Sequence, residues 1–172
     1  MFNEFQIMKK INSKASILCK VLLGFVAIWA VVMLLRVLAI CGLLNFEVGL
    51  GIDIAPAVWF NDPEVDFIQW IEIAGYILTN MLMIWLLASI LITAIKGLNS
   101  GNVFSRKNVC RLYALATVSL FYELFDDNRG IIYGAREMVL NTGVFTTPVI
   151  LCCVALIYAI AVSTAEENSL TI

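Results

Sequence analysis

Residues 73–95 read IAGYILTNMLMIWLLASILITAI, 23 consecutive positions without a charged side chain. At 1.5 Å of rise per residue this run makes about 34 Å of helix, enough to cross the roughly 30 Å hydrocarbon layer of a bilayer. The rest of the chain agrees. Of its 172 residues, 62% are apolar and 14% charged, whereas soluble domains carry about 45–50% and about 25%. The apolar excess is gathered into long uncharged runs, the pattern of an integral membrane protein.

Composition also removes several function classes. Eleven basic and thirteen acidic residues leave a net charge of −2, so no polybasic surface points to direct nucleic-acid binding. There is no histidine, which excludes His-based acid–base catalysis, His-ligated haem and most zinc sites. Residues 1–172 read as one membrane domain. The longest stretch between runs is too short for a soluble domain with its own core.

Three further runs follow from the same criterion. Residues 21–35 are uncharged, and the apolar stretch resumes at 37–46 after Arg36; together they predict one tilted span over 19–43. The lysines before it give the start the look of a secretory signal. Arg36 and the lack of a small-residue cleavage site favour an uncleaved anchor, since Ile40 stands before Cys41 where a lipoprotein signal needs a small residue. Residues 138–165 are 28 positions without a charge and predict a span over 144–165, with Pro148 near its start, where a missing N–H costs least. The remaining run is the weak one. Only 112–122 are uncharged, so a span over 107–126 requires Arg111 to snorkel and Glu123 to find a partner. The alternative is an interfacial helix and three spans.

Charge sets the orientation. Lys9, Lys10, Lys14 and Lys20 precede the first run. No basic residue lies between Arg36 and Lys96, where Glu47, Asp53, Asp62, Glu64, Asp66 and Glu72 are acidic. The next connection carries Lys96, Arg106, Lys107 and Arg111. The positive-inside rule then puts the N-terminus and the loop 96–106 in the cytoplasm and the loop 45–71 outside. Four spans leave Arg129 and Arg136 outside and Glu166 and Glu167 inside, against the rule. Three spans relieve both conflicts.

Local signals refine the loops. Residues 97–102 (GLNSGN) are turn-rich and stop the second helix. Ser105 reads as an N-cap, with Phe104 and Val109 placed for a hydrophobic staple, so a third helix starts near Arg106. Trp59, Phe60 and Trp70 suit an interfacial belt. Asp62, Glu64 and Asp66 lack the spacing and glycine of a calcium loop and read as solvated acids. The five cysteines (Cys19, Cys41, Cys110, Cys152, Cys153) form no CxxC pair and read as small apolar filler.

Intramembrane polar residues are the candidates for function. Counted from the inner boundary, Arg36 and Asn80 lie about 24 Å deep and Glu123 about 18 Å deep, which predicts one polar layer. Ser119, Tyr122, Glu123 and Asp126 share a helix face. An Arg36–Glu123 ion pair is expected as a packing element, with a proton or ion relay as the alternative.

Two segments resemble a known family. Residues 96–112 read KGLNSGNVFSRKNVCRL, and the tail 165–172 reads AEENSLTI. Together they resemble the small bacterial membrane proteins grouped as domain of unknown function 2975, whose pattern is GNPFSxxNxxRL after the second span and EENDLT after the fourth. The matching positions are Gly101, Asn102, Phe104, Ser105, Asn108, Arg111 and Leu112, then Glu166, Glu167, Asn168, Leu170 and Thr171. Val103 stands where the family often has proline, and several residues are missing before Glu166. The resemblance implies four spans with both ends inside. It also implies a small helix-turn-helix regulator as a cytosolic partner, and it brings no catalytic residues.

The expectation is an all-α polytopic protein: four transmembrane helices in an up-down bundle, both termini cytoplasmic, in a bacterial cytoplasmic membrane. No catalytic group, metal or cofactor is expected, because no cluster of nucleophile, base and orienting group is present. The leading function is a non-enzymatic accessory or regulatory protein. It would dock a cytosolic partner on Asn102, Phe104, Ser105, Arg106, Lys107, Asn108 and Arg111. The alternative is a small transporter or channel-like subunit using Arg36, Asn80 and Glu123.

Overall fold

A computed structural model describes residues 2–41, 43, 67–100 and 104–170. Among them the chain is helical, without a strand. Four α-helices follow in order: α1 (Phe2–Ile40), α2 (Phe67–Ser100), α3 (Arg106–Asp127) and α4 (Thr146–Leu170). Two short 3-10 helices, Arg129–Tyr133 and Thr142–Phe145, shape the connector before α4. The loop acids Asp62, Glu64 and Asp66, the aromatics Trp59 and Phe60, and Asn102 lie outside the described residues.

Three segments are long and apolar enough to cross a bilayer: Ile11–Ile40, Phe67–Ser100 and Thr142–Asn168. The first differs from the expected 19–43 because α1 begins at Phe2, well before the apolar run. No proline interrupts the polar stretch, and the first glycine is Gly24, so nothing stops the helix short of its N-terminus. The third helix is not apolar enough. Its 22 residues give about 33 Å of length, but six are charged, all within its first six or last five positions.

Neighbouring helices run antiparallel. Arg36 and Met33 of α1 meet Tyr76 of α2, while Trp29 packs beside Met83 and Leu86. Arg111 of α3 meets Ser89 and Thr93 of α2, while Phe125 lies on Gly75. Glu123 of α3 meets Thr147 of α4, and Arg106 meets Glu166. The expected alternation is therefore present, but the bundle is not closed. The backbones pack α1 on α2, α2 on α3 and α3 on α4, and α1 approaches neither α3 nor α4. The helices stand in an open row, bridged from α1 to α3 by Trp29 on Tyr122, an edge-to-face pair with centroids 6.1 Å apart. Lipid tails are as apolar as leucine, so a membrane helix gains little by hiding its outer face. Phe25 and Ile28 of α1 and Ile150, Ile157 and Ile160 of α4 are accordingly exposed.

The buried seams are small. Met33, Ile40, Ile73, Tyr76 and Ile132 form one, and Met83, Leu86 and Leu115 the other. Ile132 comes from the connector, which folds back over α2 and α3. Asn128 holds it there, donating to Leu124 O (2.8 Å) and Val139 O (2.9 Å) and accepting from Val139 N (2.7 Å). Gly134, at φ +89°, ends the first 3-10 helix in the left-handed conformation that glycine adopts without strain.

Gly75 sets the approach of α2 and α3, because a Cβ there would run into the Phe125 ring. Gly75→Val should overpack the seam and lower stability in detergent by about 1–3 kcal/mol. Adding Phe125→Ala should restore part of that loss. Equal losses with and without the Phe125 ring, within about 0.5 kcal/mol, would show that the two positions do not meet.

Candidate functional site

Polar side chains gather at two levels. The first lies where the start of α3 meets the ends of α2 and α4. The helix starts at Arg106, as Ser105 predicts, but the serine hydroxyl makes no cap. Instead Ser105 donates its backbone N–H to the Tyr158 hydroxyl of α4 (3.1 Å), and Phe104 tilts against the Tyr158 ring, centroids 6.0 Å apart. Arg106 grips Glu166 with two nitrogens: Nε lies 2.8 and 3.0 Å from its carboxylate oxygens and Nη2 2.5 Å from Oε2. The hydrogen bond to Glu166, then its charge, raises the Arg106 guanidinium above its ordinary value. The arginine side chain nevertheless stays 79% exposed. A shallow groove of about 250 Å³ runs beside the pair, with Val109 and Cys110 on one wall and Val162 and Ser163 on the other.

Two of the residues expected to dock a partner face the wrong way. Asn108 is buried and donates to Ile90 O (3.3 Å). Arg111 donates to Thr93 Oγ1 (2.6 Å), Ser89 O (3.2 Å) and Asn108 Oδ1 (3.2 Å). A guanidinium packed against a helix needs acceptors, and α2 supplies the Thr93 hydroxyl and the Ser89 carbonyl, whose second lone pair can accept beside the helix bond. Both residues fasten α3 to α2. Phe104, Arg106 and Lys107 remain exposed, Ser105 is half-buried, and Asn102 lies outside the described residues.

The second level lies at the other end of the helices. Arg36 donates to the Tyr76 hydroxyl (2.8 Å), which leans on Met33 Sδ (3.9 Å). Asn80 is buried and donates back to Tyr76 O (2.9 Å). Arg129 of the connector pairs with Asp126 (3.6 Å) and also lies beside the Tyr76 hydroxyl. Glu123 instead accepts from Thr147 of α4 (2.8 Å). Arg36 and Asn80 thus converge on Tyr76, while Glu123 turns away from them. Among the described residues no ion pair joins Arg36 and Glu123. The reason is order in the row: α2 stands between α1 and α3, and Tyr76 meets the arginine first.

Sequence reasoning missed three participants. Tyr76 is the hub of the second level, and Glu166 is the anchor of Arg106. Glu72, read only as one of the loop acids, is buried, and its Oε1 has no hydrogen-bond partner. The signal was present: Glu72, Tyr76 and Asn80 recur at four-residue spacing, which puts them in one row along α2. The five cysteines are free thiols, and no group of three metal-ligating side chains occurs among the described residues. No protein-family model, curated protein or solved structure matches the chain.

Because they do not touch, Arg36→Leu and Glu123→Gln should lower stability independently. Melting of the two single variants and the double variant in detergent should be additive within about 0.5 kcal/mol. A larger coupling would restore the ion pair. Arg111→Met should cost about 1.5–3 kcal/mol, the range for hydrogen bonds to a charged group. Lys107→Ala, on the exposed side, should leave the melting temperature unchanged.

Proposed function

We propose that the chain is a non-enzymatic, four-span accessory protein of a bacterial cytoplasmic membrane that docks a cytosolic partner at the α3–α4 corner. The packing of α3 supports the four-span topology. It lies antiparallel along both α2 and α4, so α4 runs parallel to α2. An α3 lying flat at the interface would leave α4 antiparallel to α2. In this topology both termini and the loop before α3 share the lysine-rich side, which the positive-inside rule makes cytoplasmic. The Arg129 and Arg136 conflict is tolerable, since Arg129 is already neutralised by Asp126.

One observation carries the docking reading. The Arg106–Glu166 and Phe104–Tyr158 contacts tie the loop before α3 to the end of α4, and they leave Arg106 and Lys107 exposed on a fixed corner beside the groove. A rigid corner that presents Lys107 beside the Arg106–Glu166 pair suits an acidic patch on a partner. The two segments that resemble domain of unknown function 2975 meet here. The partner class it implies, a small helix-turn-helix regulator, is adopted as part of this proposal.

Reporter fusions after Ile172 should be cytoplasmic, and fusions near Asn61 external. Arg106→Ala with Lys107→Ala should abolish co-purification of the partner from solubilised membranes while insertion persists. Arg111 is left intact because it holds α3 to α2. An external C-terminus would overturn the topology, and unchanged capture would overturn the docking corner.

A further inference from the structure

Glu72 and Arg36 present an unusual pair of facts. Glu72 stands immediately before the uncharged run of α2, 94% removed from solvent at 6% exposure. Its Oε1 has no hydrogen-bond partner, and no described cation forms an ion pair with it. One turn further along α2, Arg36 rests on the Tyr76 hydroxyl with no carboxylate of its own. The four residues from Glu72 to Tyr76 rise about 6 Å, within the sweep of an arginine side chain. An acid without a cation and a cation without an acid thus lie one turn apart in the same buried seam.

The surrounding groups narrow the possibilities. On α1 the titratable neighbours of this level are Arg36 and Cys41. On α3 they are Tyr122, Glu123 and Asp126, and in the connector Arg129 and Tyr133. On α2 itself there is only Tyr76. Glu123 is engaged with Thr147, and Arg129 with Asp126. Gln69, one turn before Glu72, donates to Ile131 O (3.3 Å), which holds the connector over this end of α2. An isolated carboxylate in such a place is far costlier than the neutral acid. A metal ion is a poor alternative, because no group of three metal-ligating side chains occurs among the described residues.

We propose that Glu72 is a proton-binding site: in the arrangement described it holds a proton, and release of that proton draws Arg36 from the Tyr76 hydroxyl onto the Glu72 carboxylate. The step breaks one O–H bond, passes the proton to water, and replaces an arginine–tyrosine hydrogen bond with an ion pair. Tyr76 then loses the Arg36 guanidinium and keeps Arg129 beside it, and the α1–α2 seam is rearranged at the level where Ile132 seals it. The site is separate from the docking corner and stands or falls without it.

The test uses the full chain in lipid vesicles, with infrared difference spectra of wild type against Glu72→Gln. At pH 7 the wild type should show the carbonyl stretch of a protonated carboxylic acid that Glu72→Gln lacks. Raising the pH should remove that band. In Arg36→Gln the loss should move about 1–3 pH units further into the alkaline range, because the cation that receives the carboxylate is gone. Circular dichroism should stay unchanged in both variants, since Glu72→Gln is isosteric with the protonated acid and Arg36→Gln keeps a polar, uncharged donor. Absence of the protonated-acid band at pH 7 would overturn the proton site. A band lost at the same pH in wild type and Arg36→Gln would overturn the transfer of Arg36.

Discussion

The guanidinium of Arg111 holds the fold at its most vulnerable joint. Helices in lipid are not driven together by hydrophobic burial, so close approach and a few polar contacts decide which faces meet. α3 is the least apolar helix, and its attachment matters most. Arg111 answers this by bonding a hydroxyl and a carbonyl of α2 together with the side chain of Asn108, whose amide reaches α2 at Ile90. At the far end of the same interface, Gly75 lets the Phe125 ring come against the α2 backbone. One end of the joint is polar and the other is steric, and among the described helices α4 packs its backbone on α3 and not on α1 or α2.

What the sequence made legible follows from which physics is local. The uncharged run at 73–95 identifies α2, and turn residues followed by Ser105 place the start of α3 at Arg106. Both depend on neighbours in sequence. The length of α1 was less legible, because a polar stretch without glycine or proline continues as helix without any apolar signal. The backward fold of the connector was invisible, since Ile131 and Ile132 look like any apolar pair until α2 is there to receive them.

The candidate residues divide in the same way. Depth along each helix was readable by counting residues, which brought Arg36 and Asn80 to the level of Tyr76. Azimuth was not, because which face of α3 turns to α2 depends on the packing of all three helices. Glu123 therefore finds Thr147, and Arg111 turns inward although it sits in a loop-flanking cationic cluster. Glu72 was hidden by a compositional habit: an acid beside an acidic loop reads as solvated, yet in the folded chain it is buried.

The open row also bears on how the protein is made. Each helix packs its backbone against the one synthesised just before it, and none must wait for a distant partner. Close pairing between consecutive segments keeps contact order low, the regime of rapid assembly. Each helix can join its predecessor as it emerges, with Trp29 on Tyr122 a ring contact that reaches from α1 past α2 to α3. The ribosome's order of delivery and the lateral order in the membrane are the same, so the chain has no topological reason to depend on a chaperone that holds an early helix open for a late one.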